Sequence, residues 1–308
     1  MIKVGLVGHL MFDAGDKAVN GQAIKTRNIF TMLKRRYGEE NVLTLDTNYF
    51  RKSLFSKYMK LIKIASTANT VVILPTANGL KLIMPVLSRM KKHYHFRIIY
   101  SVIGGWLPEF LKSSDRMLKY MKSIDVIYVE TQMLADQLKV LGLTNTEVMS
   151  NFSMRLERSE EPENKMNCNP PYKLCTFSRV TKKKGIGEAV ECVRRINEQK
   201  GVFFCSLDIY GPIDEEYKDE FDALIADQAN IKYSGKLTDD DIIPTLANYD
   251  LMLFPTYYPG EGMPGAVIEA YAAKLPVAAS DWHSNAEVIR DGITGKNMKF
   301  PTRLTFMF

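Results

Sequence analysis

The sequence predicts an α/β fold made of two doubly wound domains in series, and three observations lead there. Short β-branched apolar runs alternate with helical patterns of ten or more residues along most of the chain. The alternation breaks once, at a polar segment over residues 155–171 that contains Glu-Arg-Ser-Glu-Glu-Pro-Glu-Asn-Lys, and then restarts. A length of 308 residues is long for one compact domain and comfortable for two. Strands that alternate with long helices point to parallel sheets covered on both faces. The expected domains are therefore residues 1–152 and 172–308, joined by a linker over 153–171.

In the first half, strand candidates fall at 2–8, 42–45, 71–74, 97–102 and 125–129, with a further one at 145–149. A helical pattern runs from about Gly21 to Tyr37, and others fill the later intervals. In the second half the strand candidates are 173–178, 203–210, 231–234, 250–255 and 276–280, with helices over 185–199 and 264–273 between them. Neither half has Gly-x-Gly-x-x-Gly after its first strand, so a dehydrogenase-type dinucleotide site is unsupported.

Composition excludes several classes. Hydrophobic residues at 46% and charged residues at 25% are ordinary for globular protein. No stretch approaches the roughly 18 to 20 apolar residues that span a bilayer. The run Met1-Ile-Lys-Val-Gly-Leu-Val-Gly8 is too brief for a signal-peptide core and lacks a cleavage site, so a cytoplasmic protein is expected. Cys168, Cys175, Cys192 and Cys205 match neither a paired zinc site nor a redox motif, and His9, His93, His95 and His283 offer no metal-ligand spacing. No metal or other cofactor is expected.

Charge is unevenly spread. Residues 1–150 hold 22 Lys+Arg against 11 Asp+Glu, which leaves 19 against 24 for the remainder. The formal net charge of +6 thus combines a half at +11 with a half at −5. A basic half suits an anionic partner: a membrane surface, a lipid phosphate or a nucleic acid. Nucleic acid is the weakest of these, because no aromatic-basic interleaving or recognisable module accompanies the charge.

Three constellations carry the chemistry, all in the second half. Ser178-Arg179-Val-Thr-Lys-Lys-Lys184-Gly185 follows a strand and opens a helix, which can set a guanidinium fork and a mobile ammonium beside one diphosphate. A solvated basic loop would read the same way. Pro255-Thr-Tyr-Tyr-Pro-Gly-Glu261-Gly-Met-Pro-Gly-Ala-Val-Ile-Glu269 follows another strand. Pro264 suits the first turn of a helix, leaving the amides at Gly265 and Ala266 as an anion site. Glu261 can reach a sugar hydroxyl and Glu269 a ribose diol. The structural alternative makes Glu261 a turn residue and Glu269 an exposed helix carboxylate. Against it, three glycines and two prolines in the seven residues 259–265 imply close backbone approach. The third, residues 276–295, reads as a buried strand, a polar loop and a short helix ended by glycine, which needs no function. Thr238 followed by Asp241 reads as a helix N-cap with acidic first-turn residues rather than a metal site.

Taken together, residues 173–297 resemble the donor-binding domain of glycosyltransferase family 4. The residues that carry the resemblance are Arg179, Lys184-Gly185, the pair Glu261 and Glu269, Ala270, Leu275-Pro276-Val277, Glu287, Asp291-Gly292 and Gly295. The resemblance implies two Rossmann-like domains facing across a cleft, the GT-B fold, and transfer with retention from a nucleoside diphosphate sugar, UDP-linked, without a metal. It implies that Arg179 and Lys184 hold the diphosphate, Glu261 the donor sugar and Glu269 the ribose. Gly235-Lys236-Leu237 resembles the loop whose backbone, at Lys236 and Leu237, contacts the base. In the first half, Asn20-Gly21-Gln22-Ala-Ile-Lys25-Thr26 resembles a glycine loop facing the donor, similar to members that build bacterial capsular or surface polysaccharides. Ser150-Asn151-Phe152 resembles the end of the first domain. Gly104-Gly105-Trp106 lies where many relatives carry a histidine, and no histidine stands there. The implied partners are the sugar donor and a glycan or lipid-linked acceptor. The chain ends in Phe300-Pro-Thr-Arg-Leu-Thr-Phe-Met-Phe308, short of the family's usual C-terminal helices, which leaves a truncated donor-binding remnant as one alternative. A nucleotide-sugar 2-epimerase of the same architecture is another.

The stretch Arg51-Lys-Ser-Leu-Phe-Ser-Lys-Tyr-Met-Lys-Leu-Ile-Lys63 places Leu54, Tyr58, Leu61 and Ile62 broadly on one helical face and Lys57, Lys60 and Lys63 on another. It reads either as a core-packed helix or as an interfacial helix holding the protein, peripherally, against the anionic inner face of a membrane.

Overall fold

A computed structural model describes residues 3–11, 21–48, 53–154 and 169–298. The chain divides into two compact units, Met1–Phe152 and Ser153–Phe308. Each is a parallel sheet with helices packed on both faces.

In the first unit the chain runs β1 (Val4–Gly8), α1 (Gly21–Tyr37), β2 (Val42–Asp46), α2 (Leu54–Thr67), β3 (Thr70–Ile73) and α3 (Ala77–Tyr94). It continues through β4 (Arg97–Ser101), α4 (Leu107–Lys112), α5 (Asp115–Lys122), β5 (Val126–Val129), α6 (Gln132–Val140) and β6 (Thr146–Val148). The strand order is β2-β1-β3-β4-β5-β6, every neighbour parallel. Successive strand residues point to opposite faces, so Leu6 and Val72 join Leu10 and Ile29 on one side. Val7 and Ile73 join Ile64, Ile83 and Leu87 on the other. Both faces are covered, which explains why these strands read as continuous apolar runs.

The second unit runs β7 (Tyr172–Phe177), α7 (Ile186–Lys200), β8 (Cys205–Tyr210), α8 (Lys218–Ile225), β9 (Ile231–Gly235) and α9 (Ile242–Leu246). Then follow β10 (Leu251–Phe254), α10 (Gly265–Ala272), β11 (Val277–Ser280), α11 (Asn285–Val288) and β12 (Gly295–Met298). The order is β12-β11-β10-β7-β8-β9, again all parallel. Cys175 and Met252 face one core and Leu174 and Leu253 the other. Cys175, Cys192 and Cys205 are buried free thiols that pack as small apolar groups.

Every strand expected from the sequence is present within two residues at each end. Four features differ. β12 is an additional edge strand that carries Lys296 and Asn297; an edge strand needs no apolar alternation, so nothing in the sequence marked it. Residues 21–26 form the first turns of α1 rather than a glycine loop, while Asn20 lies outside the described residues. Thr238 is not an N-cap. It opens a turn closed by Asp241 N–H on its carbonyl (3.1 Å), and the five-residue α9 begins only after Asp241. In α2 the core face is Leu61, Ile64 and Ala65, with Tyr58 donating to Leu82 O (3.2 Å); Leu54 and Ile62 are exposed. A helical wheel cannot say which of two overlapping apolar stripes faces the sheet. The end segment 299–308 lies outside the described residues.

Candidate functional site

Strand order reverses at β7, which leads to β8 on one side and is joined by β10 on the other. In open parallel sheets the space outside the carboxyl ends at such a reversal is where ligands bind. The loop after β7 carries Arg179 and Lys184, and the loop after β10 carries Glu261.

The β7 loop is held by main-chain bonds from both neighbours. Ser178 N–H donates to Tyr210 O (3.1 Å) and Val180 N–H to Pro212 O (2.9 Å). Lys182–Lys184 forms a single 3-10 turn, placed between the strand and the helix that the sequence led one to expect directly. Gly185 ends the turn at φ 74°, and a Cβ there would lie 2.0 Å from Pro255 O. Only glycine allows this backbone conformation without strain and the contact at the same time. Tyr257 N–H completes the seam by donating to Lys183 O (2.9 Å).

This seam brings Lys184 to Glu261, 77 residues later in the chain, with Nζ and Oε2 2.7 Å apart. Both side chains are largely enclosed, 12% and 9% exposed. The same carboxylate oxygen accepts the hydroxyl of the fully buried Thr256 at 2.8 Å. The ring of Tyr258 meets two cations, Lys184 Nζ at 5.2 Å and Arg179 Cζ at 5.9 Å from its centroid. Cations over an aromatic face are attracted by its quadrupole. Arg179 itself is exposed at the strand end. One enclosed and one open cation therefore share contact with a single ring, a donor set suited to a diphosphate.

α10 begins at Gly265 with Pro264 as its N-cap, one position earlier than the first-turn place expected for that proline. The amides of Val267 and Ile268 turn back to Pro264 O (3.1 and 3.4 Å). Those of Gly265 and Ala266 have no such acceptor among the described residues and stand at the positive end of the helix dipole. Glu269, one turn on, is 7% exposed, which excludes the reading of it as a solvated surface carboxylate. Lys236 and Leu237 follow β9; Lys236 is exposed, and Leu237 packs against the core beside Tyr210. Gly211 N–H donates to Gly235 O (2.9 Å), so the loops after β7, β8 and β9 form one connected edge. Gly21 belongs to the first unit, at the exposed amino end of α1.

The segment after β11 also serves the site, which the sequence did not indicate. Trp282 Nε1–H donates to Tyr258 O (3.0 Å), and Ser284 Oγ–H donates to Gly262 O (2.9 Å). Ser280 Oγ–H donates to Thr256 O. Three side chains thus support the loop that carries Glu261 from its far side. Their partners are carbonyls, which leave no residue-type signature to recognise. Among the described residues, no group of three or more His, Cys, Asp or Glu could hold a metal ion.

Residues 171–303 match the family model described as glycosyl transferases group 1. The amylovoran biosynthesis glycosyltransferase AmsK of Erwinia amylovora is 30% identical over 132 residues, 41% of this chain. The chain spans about a third of that relative's length, 31%. Among solved structures, Anabaena Alr3699/HepE in complex with UDP is similar at TM-score 0.69 and 14% identity, covering 97% of this chain and 86% of that one. The lipopolysaccharide outer core galactosyltransferase WaaB superposes at TM-score 0.69 and 13% identity, with the same coverage of 97% and 86%. Sucrose-phosphate synthase from Thermosynechococcus elongatus does so at TM-score 0.70 and 15% identity, again covering 97% and 86%. At such identities the likeness is one of fold, that of GT-B glycosyltransferases. The edge built from Arg179, Lys184, Glu261 and Glu269 thus lies within the residues 171–303 that match the glycosyl transferases group 1 model.

Proposed function

We propose that this chain transfers a sugar with retention from a nucleoside diphosphate sugar, UDP-linked, to a glycan or lipid-linked acceptor in bacterial surface polysaccharide synthesis. The observation that carries the reading is the enclosed Lys184–Glu261 pair beside Arg179, at the strand reversal. A leaving diphosphate gains negative charge as the glycosidic bond breaks. Fixed cations and the Gly265 and Ala266 amides stabilise that charge more than the ground state. Lys184, Arg179 and α10 carry the charge in this reading, and no metal is needed. Glu261 orients the donor sugar, Glu269 the ribose, and Lys236 and Leu237 border the base. The first unit is the acceptor side in this reading, and its Gly21 contributes to donor binding. The AmsK relative supports polysaccharide synthesis, and UDP in the Anabaena HepE complex supports the base.

Thermal-shift screening of UDP-, GDP- and ADP-sugars, followed by transfer assays on lipid-linked and free glycans, tests this. UDP-sugars are expected to stabilise the chain most and to yield an α-linked product from an α-linked donor. Epimerised free sugar nucleotide would replace the reading with a 2-epimerase, and donor binding without transfer to any acceptor would indicate an inactive remnant.

The acceptor is further proposed to be reached at an anionic membrane surface through α2. Phe55, Met59 and Ile62 are 80%, 52% and 38% exposed and recur at helical spacing on one face. Lys60 and Lys63 flank them, and α2 has no acidic residue. Among the described residues no helix is long and apolar enough to cross a membrane. Partial insertion of three apolar side chains beneath a basic rim gives interfacial binding. Cosedimentation with vesicles containing phosphatidylglycerol is expected, to weaken with added salt, and to fall by about 10-fold or more in Phe55→Ser/Met59→Ser. Equal binding by that variant would remove α2 from the interface.

A further inference from the structure

The first unit contains a buried ion pair that the donor chemistry does not use. Lys25 on α1 and Glu130 after β5 are 105 residues apart in sequence, yet Nζ and Oε1 lie 2.7 Å apart with both side chains 2% exposed. Each ion also binds the main chain of one loop. Lys25 Nζ donates to Val102 O (3.1 Å), and Glu130 Oε2 accepts from Gly104 N–H (3.1 Å). The pair thus grips the loop after β4 on either side of Ile103. Trp106 closes the same loop by donating from Nε1 to Ile103 O (2.9 Å), and its ring meets Phe110 edge-on at 5.4 Å.

Buried ion pairs are poor stabilisers. Desolvating both charges offsets much of their attraction, and apolar replacements of similar volume are often as stable or more so. What an apolar pair cannot do is bind a carbonyl and an amide two residues apart and hold them at a set height. The ends of β1, β4 and β5 all lie at the carboxyl edge of the parallel sheet, where α1 also starts. The clamped loop, Gly104-Gly105-Trp106, offers that edge main-chain groups free of side chains and a half-buried indole. Main-chain polar groups and an aromatic face are groups that bind a sugar ring, by hydrogen bonds and by apolar contact.

We infer that Lys25 and Glu130 are a positioning pair that sets the Val102–Trp106 loop as a contact surface for the sugar acceptor. The inference rests on the transferase reading above and names the part of the first unit that meets the acceptor. Three full-length variants test it: Glu130→Gln, Lys25→Met, and the double apolar variant Lys25→Met/Glu130→Leu. Four quantities are compared with the unmodified chain: amide exchange over 102–106, UDP affinity by calorimetry, acceptor KM against kcat, and Tm. In Glu130→Gln, exchange over 102–106 should quicken and acceptor KM should rise about 10-fold, while UDP affinity stays within about 2-fold. The double variant should regain Tm without regaining slow exchange or the low acceptor KM. Recovery of all three in the double variant would make the pair replaceable packing and overturn the inference. So would an unchanged acceptor KM in a folded Glu130→Gln. An unmodified chain that transfers sugar to no acceptor overturns the transferase reading itself, and the acceptor role with it. That failure appears without any substitution, so the two are told apart.

Discussion

Lys184→Ala is expected to lower kcat/KM for sugar transfer by about 10²–10³-fold, the effect typical of losing one fixed group opposite developing negative charge. Lys184 is mostly enclosed and 2.7 Å from Glu261, so its charge acts in a site where water screens little. The substitution has a second consequence. It leaves Glu261 with the Thr256 hydroxyl but without its cation, and a buried carboxylate stripped of its partner destabilises a fold. Lys184→Ala/Glu261→Gln separates the two effects. Tm should recover toward that of the unmodified chain, because the uncompensated charge is gone, while transfer stays low. Donor-induced stabilisation by a UDP-sugar should shrink in both variants. An unchanged thermal shift in Lys184→Ala would remove Lys184 from the diphosphate site, however much activity were lost.

Gly185→Ala should destabilise the chain by about 2–4 kcal/mol, combining left-handed backbone strain with forced separation of two packed main chains. The position has φ 74°, and the added Cβ would stand 2.0 Å from a carbonyl oxygen, a group that cannot rotate aside as a long side chain would. The expected fall in Tm is roughly 5–15 °C for a domain of this size. Donor affinity should drop with it, since moving the β7 loop from Pro255 also moves Lys184 from Glu261. Denaturant unfolding measures the first effect and calorimetry with UDP the second. A Tm within about a degree of the parent would mean that the two loops are not seated against each other as described.

Much of the local structure was legible in the chain. Apolar runs of four to eight residues separated by helical periods located the expected strands, because parallel strands buried on both faces need β-branched residues at nearly every position. The glycines and prolines at 259–265 marked a close approach of backbone, and the loop does pack closely, with Trp282 and Ser284 bonded to its carbonyls. Less was legible wherever a partner is distant. Thr256 and Tyr258 look like ordinary residues of a loop, yet one holds Glu261 and the other meets both cations. Lys25 and Glu130 each look like a surface charge on a helical or turn segment. Their burial depends on α1 being brought against the ends of β4 and β5.

Sequence alone determined which residues lie at strand ends, because the apolar pattern ends where each strand does. Since all the strands run parallel, it also determined that Arg179, Lys184, Glu261 and Glu269 reach the same edge of one sheet. Only the tertiary structure decided that β10 pairs with β7, which turns 77 residues of separation into a 2.7 Å ion pair. It alone decided which face of α2 meets the core and which stays exposed. Pairing between distant strands and the choice between overlapping apolar stripes depend on the packing of the whole unit, and neither leaves a periodic trace in the chain.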